Sequence, residues 1–161
     1  MSNPREIAHT FFSEIATLSL ATCSDDKPWA ATVFFAADKN LNLYFVSDHR
    51  TRHGRDITTN ERVAATVNPE VDNWHDVRGL QIEGRVEVVT GALRLKALAL
   101  YLQKFPQIDA LYASPKSENE ETIAKRLQAA NIYRIQPDLI RVIDNEQGFG
   151  YREEFDPRDP E

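Results

Sequence analysis

A chain of 161 residues and 18.4 kDa has the length of one domain with one core, and 42% hydrophobic with 27% charged residues excludes a disordered or collagen-like chain. The net charge of −6 argues against bulk attraction to nucleic acid or an anionic membrane, while a local basic patch can still take one phosphate. One cysteine, Cys23, rules out an internal disulfide or a cysteine-rich metal site and suits a reducing compartment. The first residues lack the charged-then-apolar layout of a signal peptide, and no apolar run approaches the ~20 residues that span a bilayer. A cytoplasmic protein is expected.

In chain order, the first element is a helix: Ser2 or Asn3 caps it, Pro4 suits its first position, and Ile7, Phe11, Ile15 and Leu18 recur on one apolar face. Thr17 to Thr22 alternates polar with apolar as a strand, and Asp25-Asp26-Lys27-Pro28 is a turn. Trp29 to Ala37 is the second strand, Asp38-Lys39-Asn40 a hairpin turn, and Leu41 to Val46 the third strand, antiparallel because its connection is so short. Val63 to Val67 and Gly79 to Val89 are the fourth and fifth.

Leu93 to Phe105 is an amphipathic helix that Pro106 ends, and Ile108 to Tyr112 is a short further one. The polar segment 114–130 is a loop plus an exposed, mobile helix. Asn131 to Gln136 and Leu139 to Asp144 are two closing strands separated by Pro137-Asp138, and the acidic tail 153–161 is expected to fray. Strands dominate, connections are short and no βαβ alternation occurs. The expected architecture is mainly β with peripheral helices, a single-domain antiparallel barrel of six or seven strands.

The one basic cluster in this acidic chain is Ser47-Asp48-His49-Arg50-Thr51-Arg52-His53-Gly54-Arg55. Asp56 to Asn60 can be helical, so the cluster sits where a strand hands over to a helix N-terminus, whose N–H groups and dipole favour an anion. Arg52 can fork onto two phosphate oxygens and Thr51 can donate its hydroxyl. A solvated charged turn accounts for the composition equally well.

Five pieces in order along the chain carry a resemblance: Leu43-Tyr44-Phe45-Val46-Ser47, Thr51-Arg52-His53, Val77 to Gly84, Lys104-Phe105-Pro106 and Asp144 to Gly150. Together they resemble the FMN-binding split-barrel proteins related to pyridoxamine 5'-phosphate oxidase, and most closely a small bacterial branch. The resemblance implies a split β-barrel, FMN at the interface of a homodimer, and a phosphate held by Thr51, Arg52 and His53. The oxidases have lysine where this chain has His53, so FMN binding is expected to tighten as pH falls from about 8 to 6 and the imidazole gains charge.

By the same matching, Thr32, Val33 and Phe34 line the isoalloxazine ring through their main chain, although Val33 and Phe34 are equally simple core residues. Val46 and Ser47 lie beside the flavin. Gln81 either reaches the ring or ribityl chain or faces solvent. Phe149 either closes over the ring from the partner chain or plugs the barrel's end; Trp74 either stacks on the flavin or anchors a subunit contact. The oxidases' C-terminal Arg-x-His substrate motif has no counterpart in Gly150-Tyr151-Arg152-Glu153-Glu154, so the vitamin B6 reaction is not implied. No catalytic side chain and no metal ligand is assigned. The expected function is an FMN-dependent oxidoreductase of a small substrate. The alternative is a flavin- or haem-binding sensor, with His49, His53 or His75 as candidate axial ligands.

Overall fold

The computed structural model describes residues 3–159, so Ser2 as a helix cap lies outside them. Asn3 caps helix α1 (Pro4–Glu14) by accepting from the Arg5 N–H. Then come β1 (Thr17–Ser24), β2 (Lys27–Ala37), β3 (Leu43–Ser47), helix α2 (Arg52–Thr59), β4 (Arg62–Val67) and β5 (Arg78–Val88). Helices α3 (Gly91–Lys104), α4 (Pro106–Ala113) and α5 (Glu118–Ala129) precede the long β6 (Asn131–Asp144) and the short β7 (Arg152–Phe155). Among the described residues no helix is long and apolar enough to cross a membrane.

Antiparallel pairing runs β3-β2-β1-β4-β5-β6, and β3 pairs with β6 to close the ring; β7 lies outside it on β6. The result is a closed six-stranded barrel with a seventh strand and five helices outside it, a split β-barrel. Strand alternation explains the filling. Leu18 and Leu20, Phe35, Leu43 and Phe45, Ile135 and Ile140 all point inward and are inaccessible or nearly so.

Helix α1 packs on this core with Ala8 and Phe12 as its buried residues, while Ile7, Phe11 and Ile15 pack at the margin. The face expected from Ile7 to Leu18 is therefore cut short: Ile15 is already the C-cap and Leu18 belongs to β1. Helix α3 covers the outside of β2, β3 and β6 through Ala97, Tyr101 and Phe105. Lys104 ties it to α1. Its Nζ donates to the carbonyls of Phe12 and Ile15, each at 2.7 Å, and stands 4.1 Å from the Phe35 ring centroid. Burial lowers its pKa to about 8.

Two corrections concern the closing strands. Asn131–Asp144 is one strand rather than two, because Pro137-Asp138 is absorbed as a bulge: Glu83 faces Leu139 and Gly84 faces Pro137, leaving Asp138 extra. The tail does not fray at Glu153. Arg152–Phe155 pairs with β6, and beyond it the Arg5 guanidinium donates to the carbonyls of Pro157 and Asp159. Arg158 also bonds to Asp138 at the bulge.

The bulge needs Gly84, since a Cβ there would stand 2.5 Å from the Gln136 carbonyl oxygen, a backbone atom that cannot swing aside. Gly84→Ala is expected to cost on the order of 2 kcal/mol, read as a lowered urea midpoint with unchanged slope. A midpoint equal to wild type would show that the bulge tolerates a side chain.

Candidate functional site

Strand β3 ends at Ser47, and the chain turns through Asp48-His49-Arg50 into α2, which closes one end of the barrel. The helix starts four residues earlier than the expected Asp56, so the basic cluster forms its first turn. Thr51 is the N-cap: its Oγ1 accepts from the Gly54 N–H at 3.1 Å and donates to the Asp48 carbonyl at 2.8 Å. The hydroxyl proton expected for a phosphate is thus committed to the turn itself. Gly54 is required here, because a Cβ would lie 2.8 Å from the carbonyl oxygens of Asp48 and His49.

Arg52 also differs from expectation. Its Nε donates to both carboxylate oxygens of Asp56, one turn further on, at 3.0 and 3.2 Å, and its guanidinium lies 5.3 Å from the centroid of the Trp29 ring. Asp56 is 4% exposed and also accepts from Thr22 Oγ1 at 2.8 Å. Burial alone would raise its carboxyl pKa. The hydrogen bonds from Thr22 and Arg52, with the charges of Arg52 and Arg55, outweigh that and hold it below the usual range.

His53 points inward, with its ring 6.4 Å from that of Phe45 and its Nε2 2.7 Å from Ser47 Oγ. Ser47 Oγ is in turn 3.5 Å from Thr51 Oγ1. Burial lowers the His53 pKa from its ordinary 6.5, only partly opposed by the charge of Asp56. The gain of charge expected between pH 8 and 6 is therefore displaced to more acidic pH, and His53 is a neutral hydrogen-bonding partner of Ser47.

The structure brings Ser47, Thr51, Arg52 and His53 together at this end, and adds Trp29, Thr22 and Asp56, which the sequence reading did not assign. Thr32 and Gln81 lie elsewhere, on the outer face of the barrel. Through successive pairings Thr32, Ser19, Thr66, Gln81 and Arg141 form one polar row across five strands. Ala30, Ala21 and Ala64 form the next row. Ser19, Thr66, Gln81 and Arg141 with these three alanines floor an open groove of about 370 Å³, and Thr32 lies at the end of its row outside that lining. Arg141 donates to the Gln81 side-chain oxygen at 3.1 Å.

Val33 is a core residue, while Phe34 and Val46 pack with α3: the Phe34 ring is 5.2 Å from Phe105, and Val46 joins the cluster beneath Ala97 and Tyr101. Phe149 is 85% exposed and meets Trp74 edge-to-face at 5.8 Å. It therefore plugs nothing in this chain. His49 and His75 are exposed beside Asp48 and Asp76.

A closed six-stranded antiparallel barrel with a seventh strand outside it is the split β-barrel class of fold. The family model for pyridoxamine 5'-phosphate oxidase matches residues 5–141, and the chain belongs to that family. It is 29% identical over 127 residues to a UPF0306 protein of Klebsiella pneumoniae, covering 78% of this chain and 75% of that one. Among solved structures, a heme binding protein from Mycobacterium smegmatis superposes with a TM-score of 0.74 at 17% identity, over 98% of this chain and 59% of that one. HutZ, the heme storage protein from Vibrio cholerae, superposes with a TM-score of 0.67 at 18% identity, over 97% and 95%.

The buried imidazole has a consequence for stability. Unfolded, His53 takes up a proton near pH 6.5, which the folded chain resists, so the native state loses stability as pH falls below 6.5 and not above it. His53→Gln keeps a donor and acceptor for Ser47 and removes this titration. Urea midpoints at pH 5.5 and 7.5 are expected to differ less in His53→Gln than in wild type; equal differences would place the imidazole in water.

Proposed function

We propose that the chain is an FMN-binding oxidoreductase-like protein that holds the cofactor between two copies of itself and acts on a small planar substrate. The observation that carries this reading is the convergence of Ser47, Arg52 and the first turn of α2 at one barrel end, within a chain of the pyridoxamine 5'-phosphate oxidase family. The donor set suits a phosphate: the Ser47 hydroxyl when His53 Nε2–H donates to it, the first-turn N–H groups of Arg52 and His53, since that of Gly54 is taken by Thr51, and the Nη end of Arg52, whose Nε is taken up by Asp56. Bound there, FMN supplies hydride or electron transfer, while the protein binds, orients and shields it.

The homodimer rests on the outer face. The rows around Ser19, Ala21, Ala30, Ala64 and Thr66 carry short side chains, and every one of these residues is exposed. Their groove is open on one side and sits at the small end of ligand cavities, so a second copy packed on this face would wall it. Gln81 would then face the ligand from that floor, with Thr32 at the far end of the same row. Ala64→Glu places a desolvated charge in such an interface. It is expected to give monomers in sedimentation and to lose FMN affinity together; a wild-type dimer would remove this face from the interface.

A haem reading is favoured by the heme binding protein and the heme storage protein among the structural neighbours and by exposed His49 beside the turn. The absorbance of protein reconstituted with each cofactor separates the two: bound-flavin bands retained after desalting support FMN, and a Soret band with no flavin retention supports haem. Arg52→Ala is expected to weaken FMN binding by about 1.5–3 kcal/mol, one to two orders of magnitude. Unchanged affinity would move the phosphate away from α2.

A further inference from the structure

The buried carboxylate of Asp56 has no place in the family resemblance and no direct access to a ligand, yet it touches the residue on which the anion seat depends. Its two oxygens face Arg52 Nε, and Thr22 Oγ1 fixes it from β1, the strand neighbouring Trp29's. Thr22 and Trp29 are register partners on β1 and β2, so the same strand pair that holds Asp56 also sets the ring beneath Arg52. The guanidinium is thereby clamped on three sides: Asp56 at Nε, the Trp29 ring against its face, and the Lys27 carbonyl 3.5 Å from Nη2. A planar guanidinium held by Nε presents its Nη end in one orientation, as a bidentate anion site requires.

The clamp also carries a charge. Asp48 neutralises Arg50 at the same turn, His53 is neutral, and Asp56 sits within hydrogen-bonding distance of Arg52. Of the cluster's arginines, Arg55 is the one directed to a carbonyl, that of Arg50, rather than to a carboxylate. The turn is far less positive than its sequence suggests, and an anion arriving at Arg52 meets the Asp56 carboxylate 3.0 Å from its Nε.

Resting on the anion seat of the preceding reading, we propose that Asp56 is a positioning residue that holds Arg52 by Nε with its Nη end turned outward beside Trp29, and that its negative charge lowers the affinity of the seat for a phosphate-bearing ligand. Orientation and attenuation are separable. An isosteric amide still accepts from Nε and still meets Thr22, but no longer repels the anion. A lysine at position 52 has one ammonium, and drawn to the Asp56 carboxylate it has no separate planar pair of donors to turn outward towards a ligand.

The test titrates inorganic phosphate into the full chain, following Trp29 emission in a Trp74→Phe background, with FMN as the second ligand. Asp56→Asn is expected to bind phosphate and FMN about tenfold more tightly than the parent, a gain that a purely structural carboxylate would not produce. Arg52→Lys is expected to bind both about tenfold more weakly than the parent, despite keeping its charge. Parent binding that Asp56→Asn leaves equal or weaker overturns this role while the anion seat stands. Arg52→Lys binding like the parent overturns it as well, and decides the matter should Asp56→Asn not fold. Failure of both the parent and Asp56→Asn to bind phosphate overturns the seat and this role together.

Discussion

The contact on which the site depends is the one between β1 and the first helix after β3, made by a buried carboxylate. Asp56 reaches from α2 into the barrel end, where Thr22 donates to it, and from the same position it holds Arg52. A charge at that depth persists only when its oxygens are well satisfied, and the three contacts from Thr22 and Arg52 do that. The helix is thereby fixed in angle as well as in place, and the first-turn N–H groups, Ser47 and the outer end of Arg52 converge. Removing one partner would leave an unpaired charge inside, so the barrel end and the proposed anion seat are one structural unit.

Barrel closure supplies the rest. Because β3 pairs with both β2 and β6, Ser47 is held at a defined height on the rim, and His53 can stack inward near Phe45 while bonding to it. Closure also turns the polar row of Thr32, Ser19, Thr66 and Gln81 onto one outward face, which the helices leave uncovered: α3 lies instead over β2, β3 and β6 further around. The candidate residues therefore fall on a rim and on an adjoining wall. A ligand that uses both, as a phosphate attached to a planar ring would, needs a second surface opposite the wall.

Most of the barrel was legible from the chain because strand alternation is a local signal: Val63-Ala64-Ala65-Thr66-Val67 and Thr17 to Thr22 declare their inward faces by themselves. What was not legible depended on distant partners. Pro137-Asp138 resembles a strand break, and only Gly84 across the ladder makes room for it as a bulge. Arg152-Glu153-Glu154-Phe155 has no alternation, and becomes a strand because β6 runs beyond its pairing with β3 and offers that edge to it. Within the site, Thr51-Arg52-His53 stood out by composition, but the burial that keeps His53 neutral did not. Asp56 carried one usable sign, its spacing of four from Arg52 on a helix; Trp29 carried none, since its position beside Arg52 follows from its pairing with Thr22.

The central claim is that a phosphate-bearing ligand seats against the first turn of α2. Amide chemical shifts followed by NMR during titration with FMN test it most directly. The largest shifts are expected at the N–H groups of Arg52, His53 and Gly54, with Thr32 and Gln81 following. Shifts confined to the Trp74 and Phe149 loops, with the α2 amides unmoved, would contradict it.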